Sequence, residues 1–304
     1  MFTLLKKLCS NHAPSGNEGT MQEFLLSYIN ENKSSWKTQP EIIFGDEFQH
    51  CIILIFGKPR TACFAHMDNI GFTVRYENEL VKIGGPQIMN GYTLTGEDAL
   101  GIVECTLNIN TKNELSYDFY RTIETGTDLS FKMNWREDKD FVQSCYMDNR
   151  VGVLNALMLC STIDNGAIVF SCWEEHGGGS VPYLAKYLYE KYKIKQALIS
   201  DITWITEGVQ HGKGVVVSMR DSGLPRRVFV NRVMQCLTKN NIVYQREVES
   251  SGGSDGNELQ KQPYPIDWCF VGAAESFVHS PDEKVHKKDI DSMINAYNIL
   301  MKEL

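Results

Sequence analysis

The spacing of apolar and polar positions changes twice along the chain. Residues 20–30, TMQEFLLSYIN, carry apolar side chains at helical intervals, and short β-type runs follow at 41–44, 51–56 and 61–65. These runs predict the beginning of a mixed sheet. After Cys145 apolar strand patterns alternate with helical ones: helices over 151–161, 180–192, 225–238 and 288–304, and strands over 167–173, 196–201, 243–246 and 266–272. Such alternation predicts a sheet covered by helices on both faces. The stretch 73–143 differs from both, with short alternating segments broken at Gly84, Gly85, Pro86, Gly91, Gly96 and Gly101 and little helical periodicity. The expected fold is therefore α/β, a mixed sheet flanked by helices built from 1–72 and 144–304, with a small β-rich domain inserted at 73–143.

A chain of 304 residues with 42% hydrophobic composition has enough apolar material for a large core, so disorder is not a serious reading. Thirty-eight acidic against 30 basic residues give a formal charge of −8, which argues against a nucleic-acid surface. No apolar run approaches the roughly 18–20 residues that cross a bilayer, and Lys6 and Lys7 interrupt the first apolar stretch, so neither a membrane span nor an export signal is expected. Nine cysteines form no CxxC pair, and their odd number and apolar neighbours suggest buried thiols in a reducing cytoplasm.

Polar residues that immediately follow apolar strands matter most, because sites in open α/β sheets form at the carboxyl ends of strands. Four such places occur: Ala65-His66-Met67-Asp68, Trp173-Glu174-Glu175-His176, Ser200-Asp201, and Phe277-Val278-His279-Ser280. A fifth group, Met147-Asp148-Asn149-Arg150, opens a helix. Each is open to a purely structural role on its own, since a single histidine is commonly a packed core residue and an aspartate at a helix start is commonly a cap. Together they supply two imidazoles and three carboxylates with one carboxylate to spare. This nitrogen and oxygen mixture suits borderline and hard divalent cations, and the lack of thiolate ligands suits a catalytic site. Two ions about 3.5–4 Å apart need a bridging ligand, and the diverging oxygens of Asp148 could serve. Glu174 and Glu175 would face opposite ways on an extended strand, so only one of the two is expected to reach a given ion unless a loop begins there.

These residues belong to an ordered series: APSGNE at 13–18, AHMDNIGF at 65–72, MDNRVG at 147–152, WEEHGGGS at 173–180, SDIT at 200–203, SGGSDGNELQ at 251–260 and VHSPDEKV at 278–285. The series resembles that of the tetrahedral aminopeptidases, the deblocking and glutamyl aminopeptidase-like group of dizinc metallopeptidases, and it spans nearly the whole chain in that family's order. The resemblance implies a zinc-peptidase-like catalytic domain holding two divalent ions, zinc before cobalt or manganese. It implies His66 and Asp201 as terminal ligands of one ion, Glu175 and His279 as those of the other, and Asp148 as the bridge. Glu174 and Asp68 complete the implied catalytic set, Glu174 as general base and Asp68 as the carboxylate that orients the His66 imidazole.

The implied reaction is hydrolysis of N-terminal peptide bonds in peptide substrates, with self-association through the inserted domain. An N-acyl amino acid deacylase or dipeptidase on the same metal pair, or an inactive scaffold, are the alternatives, since fold and metals do not choose the substrate. Three consecutive glycines, Gly177 to Gly179, replace the family's usual sequence after the two glutamates. His176 is expected either to contact substrate or to cap the helix that starts at Ser180. Gly252 to Asp255 resemble the family's turn beside the metals, which implies backbone amides that position substrate, and they are also expected to start a helix with Ser254 as its N-cap.

Overall fold

The computed structural model describes residues 1–304 and has two sheets. Four strands at the heart of the larger sheet are parallel neighbours in the order Gly166–Ser171, Thr61–His66, Gln196–Ile199 and Asp267–Ser276. The first three read GAIVFS, TACFAH and QALI, nearly continuous apolar runs, as strands buried on both faces require. Their register aligns Ser171 with His66 and Ile199 with Phe64, so the residues that follow these strands emerge at one edge. Antiparallel strands extend the sheet outward, Ile52–Phe56 and Glu41–Ile43 on one side and Lys284–His286, Phe141–Gln143 and Arg136–Glu137 on the other.

Helices cover the sheet because each carries one apolar stripe. Lys287–Glu303 buries Ile290, Met293, Ala296, Tyr297 and Leu300, a three-and-four spacing, and packs on Met147–Cys160, Arg227–Lys239 and the strand Asp267–Ser276. The N-terminal residues form a further helix, Phe2–Cys9, that buries Leu5, Leu8 and Cys9 against Met147–Cys160. The sequence pattern predicts no helix there, because eight residues are too few for periodicity to stand out. Strands Ile202–Trp204 and Val215–Ser218 were likewise not expected. All nine cysteines are free and buried. No helix is long and apolar enough to cross a membrane.

The second sheet has six antiparallel strands between Gly71 and Phe131, in the order Leu80–Ile83, Gly71–Val74, Asp128–Phe131, Thr93–Asp98, Gly101–Ile109 and Leu115–Asp118. It buries its own cluster around Phe72, Leu94, Leu107, Leu129 and Phe131, apart from the main core. The chain then returns to the larger sheet, where Phe141–Gln143 pairs with Lys284–His286.

Helix Met147–Cys160 lies against the central strands at very close range. A Cβ on Gly152 would stand 2.0 Å from the Ser200 carbonyl oxygen and 2.2 Å from Asn149 Oδ1. Only the hydrogen side chain admits this approach, which brings the start of the helix to the strand end that carries Asp201. Gly152→Ala therefore overpacks a backbone contact and should destabilise the fold by at least about 1–3 kcal/mol, read as a lower denaturant midpoint at unchanged m-value.

Candidate active site

His66 is the last residue of its strand, and Asp201 follows Gln196–Ile199 by two positions. Glu174 and Glu175 lie just beyond Gly166–Ser171, and His279 just beyond Asp267–Ser276. The backbone takes left-handed turns at Tyr146, Trp173, Phe277 and His279, all non-glycine residues that flank these positions. The peptide between Asp148 and Asn149 is cis.

Five side chains converge, His66, Asp201, Glu175 and His279 around Asp148. His66 Nε2 stands 3.1 Å from Asp148 Oδ1 and 3.6 Å from Asp201 Oδ2. On the other side His279 Nε2 stands 3.3 Å from Asp148 Oδ2 and 3.0 Å from Glu175 Oε2. Two groups able to hold a cation result, His66 with Asp148 and Asp201, and Asp148 with Glu175 and His279, each with its donor atoms within 4.8 Å of one another. Glu175 Oε1 is buried with no hydrogen-bond partner, an orphaned acceptor that a cation would satisfy.

Asp68 is fully buried and underpins this arrangement. Its Oδ1 lies 3.3 Å from His66 Nδ1 and accepts the Glu174 amide at 3.2 Å, while Oδ2 accepts the Glu175 amide at 3.1 Å and the Ser15 hydroxyl at 2.6 Å. One carboxylate thus orients an imidazole and fixes the loop that carries both glutamates. Glu174 leaves the strand on that loop and lines the same cavity as the five converging residues.

Several supports carry no signal in the sequence pattern. Arg150 is fully buried and donates to the carbonyl oxygens of Met67 and Asp68 and, at 2.7 Å, to Asn69 Oδ1, tying the helix start to the His66 turn. Asn149 donates to the Ser200 carbonyl at 2.8 Å. Glu283, fully buried, accepts the His279 amide at 2.8 Å through Oε1 and the Asp148 amide at 3.2 Å through Oε2. The one hint of Glu283 is its place in VHSPDEKV, four residues after His279, and nothing in that spacing announces a bond to Asp148. His176 neither caps a helix nor lines the cavity: its Nδ1 accepts the Gly84 amide at 3.0 Å. The neighbouring Gly85 carbonyl lies 3.2 Å from His279 Nδ1, and the Gln87 amide donates to the His279 carbonyl at 2.8 Å. Ser254 caps the helix Asp255–Lys261 as expected, accepting from the Gly256 amide.

The electrostatics follow from so many carboxylates leaving water together. Burial and then the charges of Glu175, Asp201 and Asp255 raise Glu174 well above the usual range, against the pull of His66. Burial lifts Glu175 to about 7 and Asp201 to about 6. For Asp148, burial is outweighed by hydrogen bonds from His279 and His66, which hold it below the usual range. Burial opposes protonation of His279, yet Asp148 and Glu175 raise it to about 12. In the protein alone, imidazolium protons supply the positive charge that this cluster demands.

The profile of the M42 glutamyl aminopeptidase family matches residues 97–295, about two thirds of the chain. The chain belongs to the M42 glutamyl aminopeptidase family. It is accordingly a peptide hydrolase, and the resemblance read from its motifs is correct. A protein of Acetivibrio thermocellus named "Putative aminopeptidase" is 25% identical, covering 100% of this chain and 98% of the relative. The same fold occurs in the aminopeptidase APDkam598 of Desulfurococcus kamchatkensis, with a TM-score of 0.88 at 18% identity over 99% of this chain and 94% of that one. It occurs also in the TET1 peptidase of Pyrococcus horikoshii, with a TM-score of 0.84 at 21% identity over 100% and 99% of the two chains. The expected α/β architecture with a second, β-rich sheet is thus the fold of this M42 chain.

Asp255 offers a test of the site's electrostatics that avoids the five converging residues. It is buried, accepts from Ser171, and has Oδ1 unpartnered; burial lifts its carboxyl to about 7 against the pull of His66 and Ser171. A folded pKa above the unfolded one means that the native state binds this proton more tightly. The stabilisation is complete below the ordinary carboxyl range near 4 and is lost as pH rises through about 7. In chelator, Asp255→Asn should lessen the fall of the urea midpoint between about pH 5 and about pH 8; a fall equal to that of the parent protein counts against the assignment.

Proposed function

We propose that this M42 chain is a dinuclear metal-dependent aminopeptidase that releases N-terminal residues from peptides. The observation that carries the reading is the arrangement at Asp148, whose two carboxylate oxygens face two different imidazoles, each completed by a further carboxylate. His66 and Asp201 would hold one cation, Glu175 and His279 the other, and Asp148 both. The donor set fits: five nitrogen and oxygen ligands and an orphaned Glu175 oxygen. Zinc is the first candidate ion, and cobalt or manganese would accept the same donors.

Bound cations would polarise the scissile carbonyl and lower the pKa of water in the cavity. Glu174 takes the proton from the attacking water and returns it to the leaving amine. Burial and the neighbouring acids raise its carboxyl above the ordinary range, which makes it a stronger base toward that water than an exposed carboxylate. Asp68 keeps the His66 Nδ1 proton on the side away from the cavity, leaving Nε2 as donor atom, and holds the Glu174 amide so that the base stays in reach.

The six-stranded sheet between Gly71 and Phe131 would be the domain used in assembly, and the rest of the chain, whose larger sheet takes in Arg136–Glu137 and Phe141–Gln143, the catalytic domain. The P. horikoshii TET1 peptidase can assemble into a tetrahedron or a large octahedral shell, which supports homo-oligomer formation here. Free, buried thiols support a cytoplasmic location.

Two substitutions test the assignment. Glu174→Gln should lower kcat by about 10²–10⁴-fold while elemental analysis finds the metal content unchanged, since it removes only the proton carrier. Metal lost in that variant would move Glu174 into the ligand set. Asp148→Ala should reduce two bound ions to one or none by the same analysis, and two ions retained would place the bridge elsewhere.

A further inference from the structure

The cavity above the five converging residues encloses about 280 Å³ and is lined by seven carboxylates and by neither lysine nor arginine. Four of these carboxylates, Asp148, Glu174, Glu175 and Asp201, are occupied by the proposed function. The other three, Asp221, Glu247 and Glu249, form a separate wall.

That wall is fixed by backbone hydrogen bonds. Met219 donates to the Glu247 carbonyl at 2.8 Å, Glu249 to the Arg220 carbonyl at 3.0 Å, and Ser222 to the Gly252 carbonyl at 3.3 Å. Strand alternation turns Glu247 inward, 4% exposed, between exposed Arg246 and Val248. Asp221 is 7% exposed. Burying ionisable carboxylates is costly unless opposite charge meets them. Here none does. Arg220, the neighbouring cation, directs its Nε to the Asp221 carbonyl at 3.2 Å instead of to a carboxylate of the wall. Glu247 accepts the Thr203 hydroxyl and faces Ser218 across the strand pair. Burial pushes Glu247 upward against hydrogen bonds from Thr203 and Ser218, and the charges of Asp221 and Glu249 add to the rise.

The wall also lies at a telling distance. Thr203, which touches Glu247, stands two residues beyond Asp201 on the strand Ile202–Trp204. Two residues of extended chain cover about 7 Å, the reach of a lysine or arginine side chain. The Trp204 ring lines the same cavity and packs over Gly252, an aromatic surface suited to a passing cation.

We propose that Asp221, Glu247 and Glu249 form the pocket for the substrate's N-terminal side chain and select lysine or arginine there. The inference rests on the aminopeptidase reading for its reaction and on the cavity alone for its binding. An acidic N-terminal side chain meets three carboxylates with no salt-bridge partner and is disfavoured, although the family carries the glutamyl name.

Metal-loaded full-length protein assayed with the 4-nitroanilides of lysine, arginine, leucine and glutamate provides the test. Lysine and arginine should exceed leucine in kcat/KM by at least about tenfold and glutamate by about a hundredfold, and Glu247→Gln should lower the lysine-to-leucine ratio about tenfold. Glu249→Gln, at a half-buried position, gives the same reading if the first variant does not fold. A ratio unchanged in these variants, or leucine or glutamate preferred by the parent protein, overturns the proposal. Equal loss on lysine and leucine also overturns it, since the wall would then hold the α-amine. Calorimetric binding of L-lysine against L-norleucine separates the two readings. Lysine bound more tightly in a Glu247-dependent manner without any turnover leaves the pocket standing and removes the aminopeptidase; equal binding removes the pocket.

Discussion

Carboxylates gathered out of water repel one another, and this repulsion organises the molecule around its cavity. The parallel strands bring Asp201, Glu174 and Glu175 to one edge, and the helix start adds Asp148. Such a cluster persists only if the surrounding chain holds each acid in place and positive charge is admitted among them. The rigid supports answer the first need. Arg150, Asn149, Asp68 and Glu283 bind backbone groups of the very turns that present the site. The imidazoles answer part of the second, since His66 and His279 carry charge wherever the acids around them are ionised.

A close approach of backbone to backbone makes those supports possible. The turn at Met67–Asn69, the helix start at Met147 and the strand end at Ser200 all meet within hydrogen-bonding range, which leaves no room for a side chain at Gly152. Strain is visible where the strands release their loops, at Trp173 and His279, both held in left-handed conformations that a free chain would avoid. Glu18 accepts the Trp173 amide, Asp68 the two amides after it, and Glu283 the His279 amide, so each turn is bonded by a carboxylate.

Most of the central fold was legible because parallel strands buried on two faces leave long apolar runs, and amphipathic helices leave a three-and-four spacing. The residues of the candidate site were legible for a related reason: a histidine or carboxylate directly after such a run is carried to the open edge of the sheet, where side chains from several strands meet. What stayed hidden depends on long-range partners. Glu283 reads as an ordinary surface acid until its two amide donors, one of them 135 residues away in the chain, come into view. Glu247 reads as one charge in a charged strand, QREVE, until alternation turns it inward. For His176 the expectation lay between contacting substrate and capping the helix from Ser180, whereas its partner is the Gly84 amide of a loop of the smaller sheet.

That loop carries a consequence. Between Gly84 and Gln87 the chain leaving the strand Leu80–Ile83 of the smaller sheet touches His176 on one side and grips His279, main chain and ring, on the other. The imidazole beyond the end of the strand Asp267–Ser276 is therefore held in part by a loop of the smaller sheet. By thermodynamic reciprocity, whatever steadies the small sheet from outside also steadies His279, and whatever His279 grasps steadies the small sheet in return. The outer surface of the one and the inner chemistry of the other share a single conformational equilibrium.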